Sequence, residues 1–184
     1  MYTSEHDQVV EAGQILVDAA QGTLPSFSIL LPNGVGGNTS QHNQTSMALG
    51  DNWIGQVVGA IEGSTNWAST AIFITYDDCG CFYDHVPPPT HDWGIRVPMV
   101  IVSPFAKPGY TDSTPATLAS MLAFTEHAFG LSALAKADAR AYHYRDSFDY
   151  AQPPTAPVAM TTTPVPWWEL KYIAAHPVDA DDPT

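Results

Sequence analysis

Between Ser69 and Pro89 the chain passes from an apolar run to groups that can do chemistry: Asp77, Asp78, Asp84 and His85. Two adjacent carboxylates repel one another, and a partly desolvated pair needs a proton or a cation between them. A bound metal ion meets that need and supplies a centre that stabilises developing negative charge. The same pair can instead cap the turn that follows it, a common use of Asp. An imidazole oriented by a carboxylate moves protons, so Asp84-His85 adds an acid/base device to the segment. On its own, His85 reads more often as a hydrogen-bonded loop histidine.

The elements that must position these groups can be read around them. Ala71-Ile72-Phe73-Ile74 has no polar residue and predicts a strand buried on both faces. Asp77 and Asp78 then fall in the loop at the strand's C-terminal end, where open α/β sheets bind ligands. A second apolar run before Ser103-Pro104 predicts a buried, parallel neighbour. Asp7–Gln21 predicts a helix with its N-cap region at Ser4 and Asp7 and its end at Gly22-Thr23. Leu24–Pro32 predicts a strand framed by prolines. A helix opens near Leu49 with Asp51 as N-cap and Trp53, Ile54, Val57, Val58 and Ile61 as its apolar stripe. Pro115–Gly130 predicts another, ended by Phe129-Gly130-Leu131. Residues 131–150 read as a short helical piece and loop. The expected organisation is an α/β domain over residues 1–150, with a mainly parallel sheet flanked by helices. Residues 151–184 are then a Pro-rich wrapping tail, anchored by the tryptophans of one aromatic helical turn and ending in an acidic, mobile segment.

Composition narrows the function. The 184 residues carry 6 Lys and Arg against 19 Asp and Glu, a formal charge of −13. That argues against nucleic acid or an anionic membrane held by a basic patch. A phosphate ligand would need local positive charge, and with so few cations a metal ion is the readiest source. Arg96 could meet a phosphate bidentately but reads first as the partner of a structural carboxylate. Cys79 and Cys81 are too close for an unstrained bridge and too few for a structural zinc site; they read as small side chains in a turn, and the redox compartment stays open. No signal peptide is visible at the start of this chain, and no apolar run approaches the roughly 20 residues that cross a bilayer. Residues 33–44 are Gly-rich but match neither a phosphate-binding loop with Lys nor the dinucleotide fingerprint. His42, within them, reads on its own as an exposed loop histidine.

Tyr76-Asp77-Asp78-Cys79-Gly80-Cys81-Phe82-Tyr83-Asp84-His85-Val86-Pro87-Pro88-Pro89 resembles the signature of the bacterial phosphoesterase family, with Cys81 where a second Gly is common. That family includes non-haemolytic phospholipases C and a respiratory-burst-inhibiting acid phosphatase, within the alkaline-phosphatase-like superfamily. Gly50-Asp51-Asn52-Trp53, Gly94-Ile95-Arg96-Val97-Pro98, Ile101-Val102-Ser103-Pro104 and the stretch from Ser120 to Leu131 are similar to further family elements. The resemblance covers residues 7–150 and corresponds to the C-terminal part of the family. The Glu-Asn-Arg-Ser-Phe motif and the nucleophilic Ser or Thr of the family's first half do not occur in this sequence.

The resemblance implies an alkaline-phosphatase-like fold, incomplete at the N-terminus. It implies a metal-dependent hydrolase of phosphoric ester bonds, of phospholipase C or acid phosphatase type, acting on a phosphate ester such as a phospholipid. Asp77 and Asp78 would be ligands of a divalent Ca, Mg, Mn or Zn ion. His42 would serve the leaving group or the phosphoryl oxygens, and Asp84 and His85 would support the site. A missing N-terminal half is then an expected partner, and family members are often secreted or periplasmic. Two alternatives stand beside this: a truncated or split relative without activity of its own, and a metal-stabilised extracellular binding protein.

Overall fold

The computed structural model describes residues 9–32, 39–42, 45–80 and 82–176. The expected N-cap residues Ser4 and Asp7, most of the Gly-rich loop, Cys81 and the acidic C-terminal residues lie outside these. The chain forms two compact units, Met1–Ala68 with Ala156–Thr184, and Ser69–Thr155. The α-helices are α1 (Gln14–Gln21), α2 (Met47–Glu62), α3 (Leu118–Phe129) and α4 (Trp167–Ala175); the strands are β1 (Ile72–Thr75) and β2 (Met99–Val102). No helix among the described residues is long and apolar enough to cross a membrane.

In the first unit α1 packs on α2, and the buried apolar side chains are Ala19, Val57, Val58, Ile61 and Trp67. Gly13 precedes α1, and Gly22 ends it with φ 70° in the left-handed region, as a helix-stopping glycine does. A Cβ on Gly22 would also collide with Thr65 Oγ1, so the position demands glycine twice over. The strand expected over residues 24–32 does not form. This segment is irregular, and Phe27, Ile29 and Leu31 are exposed, with no strand among the described residues to pair them.

Helix α2 starts earlier than expected. Ser46, in extended backbone, is the N-cap and accepts a hydrogen bond from Leu49 N–H at 3.3 Å. Asp51 lies inside the helix, one turn too late to cap it. Met47, Ala48 and Leu49 form helix readily, so the earlier of two capping residues wins.

The tail from Ala156 belongs to this unit, but the tryptophans do not anchor it: Trp167 is 74% and Trp168 60% exposed. Polar groups of α2 hold it instead. The Asn52 amide donates to Thr163 O at 2.9 Å and accepts from Thr163 N–H at 2.7 Å. Buried Glu62 accepts from Val158 N–H at 2.8 Å. Met160 lies over Gly55 and Gly59, where a Cβ on Gly59 would come within 3.2 Å of Met160 Cγ. Asn52→Ala is expected to weaken tail docking by about 1–3 kcal/mol, the sum of two hydrogen bonds. Limited proteolysis within residues 156–166 checks this, with faster cleavage expected in the variant.

In the second unit β1 and β2 pair antiparallel, with Ile72 opposite Val102, Phe73 opposite Ile101, Ile74 opposite Val100 and Thr75 opposite Met99. The expected parallel neighbour is thereby corrected. Parallel strands need a crossover, usually helical, whereas residues 76–98 hold no helix among those described and return the chain directly. Nor is β1 buried on both faces; its four residues are half-buried. The observed class is mixed helix and sheet.

Phe73 carries the packing of β1. Its ring meets Phe124 of α3 at 4.8 Å and Tyr144 at 5.3 Å, and Phe124 stacks on Phe148 at 5.2 Å. Helix α3 starts at Thr117, whose N–H donates to Ser120 Oγ at 3.1 Å in a capping box, and stops at Gly130 with φ 65°. The stretch after it forms two short 3₁₀ turns, Asp138–Arg140 and Arg145–Ser147. Asp112 ties the second turn down: its carboxylate accepts from Tyr142 Oη at 2.6 Å, Ser147 Oγ at 3.0 Å and Thr114 N–H at 2.8 Å. Burial and the Asp112 carboxylate push the Tyr142 hydroxyl up to about 12.

Candidate functional site

The candidate residues divide between the units: His42 lies in the first, and Asp77, Asp78, Asp84 and His85 in the second. His42 sits in a turn immediately before α2, built by neighbouring hydroxyls. Ser40 Oγ accepts from His42 N–H at 3.0 Å, and Thr45 N–H donates to His42 O at 3.0 Å. Thr45 Oγ1 also donates to the carbonyls of Ser40, at 2.9 Å, and His42. Gly50 lets this turn lie against the helix, since a Cβ there would collide with Gln41 Cγ and come within 3.1 Å of Ser40 O. The imidazole is thus presented from a braced turn, half-buried.

The other four lie on the loop between β1 and β2. Thr75, the last residue of β1, closes its neck by donating from Oγ1 to Pro98 O at 2.8 Å. Asp77 and Asp78 leave the end of β1 side by side and exposed. Asp78 Oδ1 accepts from Gly80 N–H at 2.6 Å, and Asp77 Oδ1 accepts from Asp78 N–H at 3.2 Å. Gly80 has φ 50°, and Phe82 N–H reaches back to Cys79 O at 2.9 Å. One oxygen of each carboxylate therefore shapes the turn, and the capping use weighed from sequence is realised. The Oδ2 atoms make no hydrogen bond among the described residues. Cys79 is a free thiol.

Asp84 is held more firmly. Arg96 Nε donates to its Oδ2 at 2.9 Å and Nη2 to its Oδ1 at 3.3 Å, while Val86 N–H donates to Oδ1 at 2.7 Å. Arg96 is thus the partner of a carboxylate, as its sequence reading favoured, and the carboxylate is Asp84. Both oxygens are engaged by Arg96 and Val86, and His85 beside it is exposed. The bracket fixes the backbone that carries His85 and joins the two arms of the loop. The Val86 amide and then the Arg96 guanidinium hold the Asp84 carboxyl below its usual 3.8. A lowered carboxyl stabilises the fold above 3.8 and loses that contribution as pH falls through its own lower midpoint. Arg96→Gln is expected to move the Asp84 midpoint upward, toward 3.8; carboxyl carbon shifts followed against pH measure it.

The carboxylates of Asp77 and Asp78 suit a hard cation by their oxygen chemistry. Such ions take more ligands than two side chains supply. Among the described residues no group of three or more His, Cys, Asp or Glu side chains is placed to hold a metal ion. By themselves these residues do not make a metal centre.

The sequence relationships specify the class of protein. A profile of the phosphoesterase family matches residues 3–132. That is more than half of the chain, and the chain belongs to the phosphoesterase family. It is 29% identical to non-specific phospholipase C6 of Arabidopsis thaliana over 178 aligned residues, covering 78% of this chain and 34% of that protein. It is 33% identical to the non-hemolytic phospholipase C of Burkholderia pseudomallei over 156, covering 65% and 22%. With phospholipase C A of Mycobacterium tuberculosis it shares 25% identity over 175, covering 78% and 33%. The chain spans about a third of the length of these relatives or less.

Proposed function

We propose that this chain contributes to the hydrolysis of phosphoric ester bonds, with a phospholipid-type phosphodiester as the substrate class. The observation that carries the reading is the match of the phosphoesterase family across residues 3–132, a span that includes every candidate site residue. The relatives named phospholipase C support the diester over the monoester. In this reading a hydroxyl attacks phosphorus, the P–O bond to the alcohol breaks, and the imidazole of His42 serves the leaving oxygen or the phosphoryl oxygens. His85 sits on a loop that Asp84 and Arg96 hold in place. Asp77 and Asp78 are this segment's contribution to a divalent cation site for Ca, Mg, Mn or Zn, with further ligands from outside the described residues. When bound, that cation would neutralise charge on the phosphoryl oxygens.

The same reading extends to the fold. Large mixed sheets often carry an antiparallel edge strand on an otherwise parallel sheet. We place β2 in that role and β1 as a strand of the mainly parallel, alkaline-phosphatase-like sheet of the whole protein. Phosphorus NMR of phosphatidylcholine vesicles incubated with the chain and each cation tests the substrate class. Release of phosphocholine supports it. Release of inorganic phosphate from a monoester, with the diester untouched, supports the acid phosphatase reading instead. A folded sample that cleaves neither overturns hydrolysis by this chain.

A further inference from the structure

Away from that loop, two carboxylates are buried together in the second unit. Glu126 on α3 is 6% exposed and Asp138, at the start of the first 3₁₀ turn, 3%. They meet at one backbone amide: Leu134 N–H donates to Glu126 Oε1 at 3.1 Å and to Asp138 Oδ2 at 2.8 Å. Two carboxylates buried on one shared donor cannot both keep their charge without a cation between them, so one of them holds a proton. The remaining donors fall to Asp138, which accepts from Ala135 N–H at 2.9 and 3.1 Å and from Ala139 N–H at 3.0 Å. The better-solvated charge therefore sits on Asp138 and the proton on Glu126.

Among the described residues no cation is ion-paired with either carboxylate. Lys136 and Arg140, which flank Asp138 in the chain, are exposed. Among the described residues the ion pairs are Arg96–Asp84 and Arg145–Asp146. On α3, His127 follows Glu126, but its ring pairs with His143 at 4.7 Å.

We propose that the proton shared between Glu126 and Asp138 is a latch, holding residues 131–141 against α3 and loosening them as pH rises. The inference stands apart from the phosphoester reading. The latched segment supplies Ala137, Arg140 and Ala141 to one wall of a cavity of about 290 Å³, which Trp93, Ser120 and Tyr142 also line. Losing the proton thus loosens that wall.

The direction follows from the two groups. Burial raises the Glu126 carboxyl above its ordinary 4.5. Its stabilisation is complete below 4.5 and is lost as pH rises through the raised midpoint. For Asp138 burial pushes upward, but the Leu134, Ala135 and Ala139 amides together bring it below 3.8. Its contribution is present above 3.8 and lost as pH falls through the lowered midpoint. The latch is tightest between 3.8 and 4.5.

Hydrogen exchange of the Leu134 and Ala135 amides in the full chain, corrected for intrinsic base catalysis, tests it. Protection in the native protein is expected to fall about tenfold per pH unit above 4.5 until Glu126 has titrated, and then to level off. In Glu126→Gln it should stay flat, because a carboxamide donates to Asp138 and accepts from Leu134 at every pH. Native protection that does not change with pH overturns the latch, as does the same fall in Glu126→Gln. Carbon NMR titration of the native Glu126 carboxyl gives a second reading that does not depend on the variant folding: a midpoint above 4.5 supports the latch, and one at or below it overturns the latch.

Discussion

Replacing Asp77 or Asp78 by asparagine is expected to lower phosphoester turnover about a thousandfold while leaving the fold intact. The magnitude is that of removing several kcal/mol of charge stabilisation from a phosphoryl transition state. The fold survives because both side chains are exposed. An asparagine Oδ1 also still accepts the Gly80 or Asp78 N–H bond that shapes the turn. Asp92→Asn, on the same loop, is the control and should not change turnover. Rates on a chromogenic phosphodiester, paired with thermal melts, separate the two effects. If Asp77→Asn and Asp78→Asn are as active as the native chain, the carboxylates build the turn and nothing more.

The second large effect concerns stability. Phe148→Ala is expected to cost about 3–5 kcal/mol, a large share of the 5–15 kcal/mol typical of a folded domain. Phe148 is buried and stacks on Phe124 at 5.2 Å and on Tyr150 at 5.7 Å. Through Phe124 it supports Phe73, the ring by which β1 packs on α3. Its backbone also bridges Ala106, beyond β2. Urea unfolding followed by fluorescence measures the cost, and a shift below 1 kcal/mol would mean that the aromatic stack does not carry this unit.

What could be read from sequence was what acts locally. Gly22 and Gly130 stop their helices in the left-handed conformation that glycine adopts without strain. The apolar run at Ile72–Thr75 is a strand, and the acidic pair leaves its end. Arg96 pairs with a carboxylate. The misses need information that lies elsewhere in the chain. An apolar run states that β2 is sheltered, but not which strand lies beside it or in which direction. Two capping residues, Ser46 and Asp51, stand near the start of α2, and local preference alone does not choose between them. The tail is held by Asn52, Glu62 and the Gly55–Gly59 groove, contacts spanning more than ninety residues. Asp138 carries no signal of its own, and nothing local pairs it with Glu126. For the site, clustering in sequence marked Asp77, Asp78, Asp84 and His85. The clamp of Arg96 on Asp84 became visible only once both arms of the loop were folded.

The most direct test of the central claim is hydrolysis of a chromogenic phosphodiester by the purified 184-residue chain, with Ca, Mg, Mn and Zn in turn and again after chelation. Turnover that needs one of these cations, stops on chelation and is lost in Asp77→Asn is the predicted result. A well-folded sample that shows no turnover with any of them, or turnover that chelation leaves unchanged, would contradict it.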